Sequence, residues 1–435
     1  MLEHLALGGC IGTAERLECS LSYSRLTMQL ISLLVLAQVA VLQSGCPQPL
    51  APAVQASTAT QAAVVEAPWR ETLLDFAFES ADRMQSAAHA RDRARLQEAV
   101  GLALLDADLP SRAAERARSI EGWRRGALLA AVALEEAKAG RVDDARVLAK
   151  QALALAQTQL DWQRERIQVM VARAYAWIGD ESEAARLEQG VGEPEMGKVA
   201  AARAARAPEV GFDAQMTALD DWLKTKNFDL VRNAVEICLE FYPATFKEPA
   251  RRARVEAAVA LANAQLPLEV RIDILLRMAD IARRQSDLDA ARAFISQAES
   301  QLAAGTWMAD DQVVQVALIA TTQARLASTA DLDAATKSLL HGEEIFAAAR
   351  DRIVDIARAR PLRALAEGYA AVGDKTSARR VYAQALREGI VNPNARPRTD
   401  DLVQTAISIS RSGVEPDAAT RDALAAIREG LVAPW

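Results

Sequence analysis

The 435-residue chain carries 51 Lys and Arg against 58 Asp and Glu, a formal net charge of −7 with the two signs interleaved, which excludes the basic stripe that nucleic-acid binding requires. Apolar residues make up 51% but aromatics only 5%, a composition that favours helix over sheet, and the length exceeds one compact core of ~100–200 residues. Four cysteines without a CxxC pair, and three histidines with none near a cysteine, offer no ligand set for a metal, no thiol redox pair and little material for histidine acid–base chemistry.

The first pattern in chain order is the apolar run Leu26 to Leu42, preceded by Arg25 and followed by Gln43-Ser44-Gly45-Cys46-Pro47. As a helix the run covers ~25 Å, short of the ~30 Å hydrocarbon core, so it predicts a secretory segment. Ser44-Gly45 before Cys46 resembles the lipobox of bacterial lipoproteins. That resemblance implies a presequence over 1–45, lipid attachment at Cys46 and a place in a bacterial envelope, anchored to a membrane and facing the periplasm or the outside. An ordinary signal cleaved near Gly45, with the product secreted or periplasmic, an uncleaved anchor helix, and a segment of a cytosolic protein with no targeting role are the alternatives. Residues 46–68, rich in Pro, Ala, Ser, Thr and Gln, cannot bury a core and predict a flexible tether.

From Trp69 onward the apolar residues recur at helical spacing, interrupted by short turns rich in Gly or Asp. N-terminal helical repeats are expected over 69–190, in units marked by Gly101 with Ala113, by Val132-Ala133, Gly140, Ala145 and Ala152, and by Val171-Ala172, Tyr175, Gly179 and Ala184. Residues 191–265 form an irregular helical segment or hinge, punctuated by Gly190-Val-Gly-Glu-Pro194, Ala207-Pro-Glu-Val-Gly211 and Phe241-Tyr-Pro243. A hinge near 190–211 and a longer loop in one continuous array are both compatible with this pattern. Cys238, with apolar neighbours at helical spacing, reads as a buried thiol.

C-terminal repeats follow over 266–435. Met278-Ala279, Ala291, Ile295 and Ala298 repeat the pattern without the glycine, and Asp287-Leu-Asp-Ala-Ala-Arg292 returns 44 residues later as Asp331-Leu-Asp-Ala-Ala-Thr336. The fullest unit has Leu362, Leu365-Ala366, Tyr369, Gly373, Ala378, Tyr382 and Ala385, and Ala406, Gly413, Ala418 and Ala425 suggest a last one. This pattern resembles the tetratricopeptide repeat (TPR), although the anchor alanines 113, 145, 184, 291, 335, 378 and 418 depart from a strict period.

The resemblance implies an all-α fold, an α-solenoid (superhelix) of antiparallel helical hairpins. Ala366 and Ala378 then let two backbones approach, Gly373 ends the first helix, Asp374 or Thr376 caps the second, and Tyr369 and Tyr382 fill the space between hairpins. It also implies a concave surface that holds a peptide or partner protein, with Arg166, Arg173, Arg360, Arg363 and Glu367 as groove candidates; such arginines suit an acidic tail.

No Gly-rich phosphate loop, GxSxG or HExxH occurs. The pairs Asp220-Asp221, Asp310-Asp311 and Asp400-Asp401 are expected at helix starts or on the surface, and the seven tryptophans are scattered. The expectation is a non-catalytic protein-binding scaffold without cofactor or metal; an envelope hydrolase on a helical toroid and a ligand-responsive regulatory array are the alternatives.

Overall fold

The computed structural model describes residues 68–84, 87–207 and 211–435; the expected presequence, the expected tether up to residue 67 and the expected lipid attachment at Cys46 lie outside them. Nineteen α-helices and no strand occur among the described residues. They are α1 (Pro68–Asp82), α2 (Ala90–Asp106), α3 (Pro110–Ala117), α4 (Trp123–Lys138), α5 (Val142–Ala156), α6 (Asp161–Ile178) and α7 (Glu181–Glu188), followed by α8 (Glu193–Arg206), α9 (Phe212–Lys224), α10 (Phe228–Thr245), α11 (Pro249–Asn263), α12 (Leu268–Arg284) and α13 (Leu288–Ala304). The last six are α14 (Ala309–Ala324), α15 (Thr329–Ala349), α16 (Ala359–Ala371), α17 (Lys375–Gly389), α18 (Ala395–Ser412) and α19 (Ala418–Glu429). The 191–265 span holds α8 to α11.

One local device turns most hairpins. At the end of α16, Gly373 sits at φ +86°; its N–H bonds the Ala370 carbonyl and the Asp374 N–H bonds that of Tyr369, at 3.0 and 2.9 Å. This is a Schellman cap, which satisfies carbonyls that the helix end leaves orphaned. The Asp374 carboxylate then accepts from the Ser377 N–H at 2.9 Å and starts α17. Gly140 and Gly179 make the same turn.

Where the sequence lacks the glycine, another residue takes the strained conformation. Ser286, at φ +65°, lies five residues before Ala291, the same spacing as Gly373 to Ala378, and Asp287 caps α13. In the first unit Gly101 is not the turn residue. It lies inside α2, where an added Cβ would meet Leu128 of α4 at 2.2 Å, and Asp108, at φ +61°, makes the turn instead.

The two similar Asp-Leu-Asp-Ala-Ala stretches also differ. Asp287 is an N-cap, whereas Asp331 is already the third residue of α15, because Ser328 accepts the Asp331 N–H and caps that helix three residues earlier.

The even-numbered helices form a continuous row in which each packs on the next, from α2 through α18, while the odd-numbered helices α3, α5, α7, α13, α15 and α17 cover it from one side. Ala113, Ala145, Ala184, Ala291, Ala335 and Ala378 on these covering helices are all fully buried, which lets the helices approach closely. Ala418 is the exception: α19 begins at that residue and leaves it exposed.

The reason lies at the other end of the chain. α1 packs along α18, and α18 also packs on α2, so the row closes on its beginning. Arg95 of α2 meets Asp400 of α18 at 2.5 Å, and Arg411 of α18 meets Asp106 of α2 at 3.1 Å. With α1 in the covering place on α18, α19 is displaced outward. It is held there by Arg428, stacked 4.4 Å from the Phe76 ring centroid of α1.

Burial follows the same circuit. One cluster of buried side chains joins α1–α8 to α14–α19 across the closure, and a second runs from α8 to α14. Cys238 belongs to the second at 1% exposure, and burial pushes its thiol up to about 12.

Candidate functional site

The inner faces of the even-numbered helices carry charge at four-residue intervals, which on a helix places side chains on one stripe. α10 contributes Arg232, Glu236 and Glu240, and α12 contributes Glu269, Asp273 and Arg277. Arg173 of α6 reaches over α8 to Glu240 of α10 at 2.6 Å, and Arg360 of α16 approaches both Asp311 of α14, at 2.8 Å, and Glu269 of α12, at 3.5 Å. Ion pairs between next-but-one helices require a tightly curved face.

Of the groove candidates, Arg166 and Arg173 line a cavity of about 270 Å³ between α6, α8 and α10, together with Glu195, Lys198, Glu236 and Glu240. Arg166 also stacks 5.2 Å from the Trp123 ring centroid, and Trp123 meets Trp162 edge to face at 5.2 Å. Two of the tryptophans scattered in sequence thus meet at the starts of α4 and α6. Burial pushes the Glu240 carboxyl up despite Arg173, and one Glu240 oxygen and the Arg173 Nε are buried with no hydrogen-bond partner.

Arg360, Arg363 and Glu367 share α16. Arg363 bonds Asp401 of α18 at 2.8 Å, and Glu367 accepts from Ser408 at 2.5 Å. Burial raises the Glu367 carboxyl above its ordinary range even with that hydroxyl and Arg411 and Arg363 nearby. Ser408 also pairs with the Tyr382 hydroxyl at 3.0 Å, and the Tyr369 hydroxyl donates to Glu343 of α15. The two tyrosines therefore tie α16 and α17 to the hairpins on either side. Ala366, Ala378 and Ala385 are buried at the contacts between these helices.

The acidic pairs divide. Asp310-Asp311 occupies the first turn of α14, and Asp220-Asp221 lies near the C-terminal end of α9 with Asp221 exposed, a surface position rather than a helix start. Asp400-Asp401 is neither a helix start nor a surface pair: it lies inside α18, with Asp400 held by Arg95 and Asp401 buried against Arg363. The closure of the row supplies the Arg95 contact, and the neighbouring α16 supplies Arg363.

A second inner cavity, of about 240 Å³, opens between α10, α12 and α14. Glu236 belongs to both cavities; burial pushes its carboxyl up, but two bonds from Arg277, at 2.8 and 2.7 Å, carry it below its ordinary range. Asp273 is pushed up by burial, with Arg277 no nearer than 3.8 Å. Sequence reasoning passed over these residues, although their four-residue spacing was the signal for a shared face.

A further cavity is on the outside. A groove of about 670 Å³ separates α17 from the displaced α19, floored by Ala383, Leu386, Ala423, Ala426 and Ile427. Arg379, Arg380 and Arg387 stand on its wall. Arg380 is paired with Glu343 and Arg379 bonds the Glu415 carbonyl; Arg387 has no carboxylate partner among the described residues.

Among the described residues no group of side chains has the make-up of a metal site, and no helix is long and apolar enough to cross a membrane. No protein-family model matches the chain, and neither a curated protein nor a solved structure matches it.

Proposed function

We propose that this chain is a non-catalytic protein-binding scaffold, a TPR-like α-solenoid closed by its own first helix and tethered to a bacterial envelope membrane through a lipid on Cys46. The observation that carries the binding role is the outer groove between α17 and α19. An apolar floor between two helices, with Arg387 on its wall lacking a carboxylate partner among the described residues and Arg379 bonded to a backbone carbonyl, suits the apolar face of an amphipathic helix with acidic flanks. The inner arginines suit an acidic partner less well, because Arg173, Arg360 and Arg363 already hold carboxylates of the same chain. The acidic pairs lend no support to a hydrolase, since Asp400 and Asp401 are each bound to an arginine.

The test places a photo-crosslinking residue at Ala423, in the groove, or at the exposed Val147 of α5. The expected result is a discrete adduct from the groove position, lost when Ile390→Asp puts a charge on the groove wall, and none from Val147. The same adduct from both positions, or one indifferent to Ile390→Asp, refutes the binding role. Palmitate labelling abolished by Cys46→Ala tests the anchor separately, and equal labelling of that variant removes it.

A further inference from the structure

Each hairpin doubles back, so the even-numbered helices begin on one rim of the closed row. Contacts between neighbouring starts trace that rim. Arg396 of α18 meets Asp92 of α2 at 3.3 Å, Arg93 of α2 meets Glu121 before α4 at 2.9 Å, and Glu165 of α6 accepts from the Gly192 N–H before α8 at 2.6 Å. On the other side of the closure, Asn392 before α18 bonds Asp355 before α16 at 3.1 Å. Exposed large apolar side chains gather on this rim. Leu160, Trp162, Phe228, Met308, Val354 and Ile356, each 45–72% exposed, lie in the turns that lead into α6, α10, α14 and α16 or in the first two residues of those helices. The corresponding stretches on the opposite rim expose Leu288 alone among the described residues.

Single exposed apolar residues are ordinary on a protein surface, but two features set these apart. Leu160 and Met308 stand at the N-cap positions of α6 and α14 and make no side-chain bond to the helix, where Ser, Thr, Asp or Asn would satisfy an orphan N–H. On the opposite rim Asp180, Asp287, Asp374 and Asp417 do so. Folding therefore supplies no reason for an exposed Leu and Met. The second feature is charge. In the turns of the apolar rim Glu121 is paired with Arg93 and Asp351 with Arg350, and Asp355 accepts from Asn392. Arg118, Lys226 and Arg352 are exposed and have no carboxylate partner among the described residues.

We infer that this rim lies on the surface of a lipid bilayer, with its apolar side chains in the interface and Arg118, Lys226 and Arg352 against lipid phosphates. One or two apolar side chains per turn, spread along a closed rim, form no single core of the kind a protein interface has. A bilayer interface demands no shape complementarity and takes up such side chains one by one. Cations left over in the turns match the phosphates of anionic lipid. Trp162 packs edge to face on Trp123, whose ring centroid lies 4.7 Å from the Arg124 guanidinium and 5.2 Å from that of Arg166. An apolar ring with a polar edge, flanked by cations, suits the boundary between headgroups and acyl chains. Contact by the folded body goes beyond the lipid on Cys46 and does not depend on it.

Spin-label depth measurement on the full-length chain tests the inference. Cys10→Ser, Cys19→Ser and Cys46→Ser remove the accessible thiols and the lipid site, and Cys238 is buried. A nitroxide is then attached at Met308→Cys or Val354→Cys on the apolar rim, or at Asp289→Cys on the opposite rim, where the side chain is 99% exposed. All three sites face solvent, so the labels leave the packing intact. Vesicles of phosphatidylcholine with a minor share of phosphatidylglycerol are the probe. On adding them, the labels at 308 and 354 should lose collisions with a water-soluble nickel chelate several-fold and gain collisions with oxygen, the mark of insertion rather than mere proximity. The label at 289 should keep its solution values. Rim labels that stay as accessible to nickel with vesicles as without overturn the inference, whether or not the chain sediments with the lipid. Equal burial of the label at 289 overturns it too, because the contact would not belong to this rim. Rim labels immobilised by a protein from the native membrane, and indifferent to vesicles, would assign the rim to a protein partner instead. The α17–α19 groove and the lipid on Cys46 can each fail while these labels still report the rim on the bilayer.

Discussion

Replacing Phe78 by alanine asks whether the two ends of the chain are one structural unit. Phe78 is 1% exposed on α1, and the Arg116 guanidinium stacks 5.1 Å from its ring centroid. Removing such a ring costs about 3–5 kcal/mol in lost burial and cavity formation, and the lost stacking adds about 0.5–1 kcal/mol. In an array of neighbour contacts, damage of this size stays near the altered unit. Here α1 packs on α18 as well as α2, so the cost should appear at both ends of the sequence. Native-state hydrogen exchange read by mass spectrometry is the assay. Amides of α18 should exchange about a hundredfold faster or more, from the ~3 kcal/mol lower bound, together with those of α1 and α2. Those of α10 and α12, in the other buried cluster, should keep their protection. Unchanged exchange in α18 would refute the closure, and equal acceleration everywhere would replace neighbour packing by a single cooperative core.

Three further outcomes can be measured. Ala327 holds φ +62° without being glycine; Ala327→Gly should raise stability by up to ~1 kcal/mol in urea titration, whereas Gly373→Ala, at φ +86°, should lower it by about 1–2 kcal/mol. The Asp374 carboxyl is held below its ordinary 3.8 by the Ser377 backbone N–H, so its contribution is present above that value and lost as pH falls through the folded-state pKa; Asp374→Asn should flatten the acid limb of stability against pH, and an unchanged slope would count against the cap. Cys238, with its thiol raised to about 12 by burial, should resist a thiol reagent at pH near 8 in the native chain and react once the chain is unfolded in guanidinium; rapid native labelling would contradict its burial.

Much of this was legible in the amino acids alone, because it depends on neighbours a few residues away. Helical spacing of apolar residues marked the helices, and an anchor alanine such as Ala145, Ala184 or Ala378 five residues after a glycine marked a hairpin. The steric reason is local: a left-handed residue ends one helix, and a small side chain lets the next one pack back on it. Glycine identity was a poorer guide than spacing. The same interval before Ala113 and Ala291 points to Asp108 and Ser286, which take positive φ without being glycine, while Gly101 makes room for Leu128 inside a helix contact. What tertiary structure alone decided is the meeting of faces far apart in sequence. Nothing in the local pattern of α1 says that its Leu74 and Phe78 stripe belongs to α18. Apolar burial is non-directional, and many partners would satisfy it equally. Once α1 occupies that place, Ala418 is left exposed and the α17–α19 groove stands open, and the same closure pairs Asp400 with Arg95. The ion pairs follow for the same reason: Arg173 and Glu240 stand 67 residues apart, and only the curvature of the closed row brings their charges within reach.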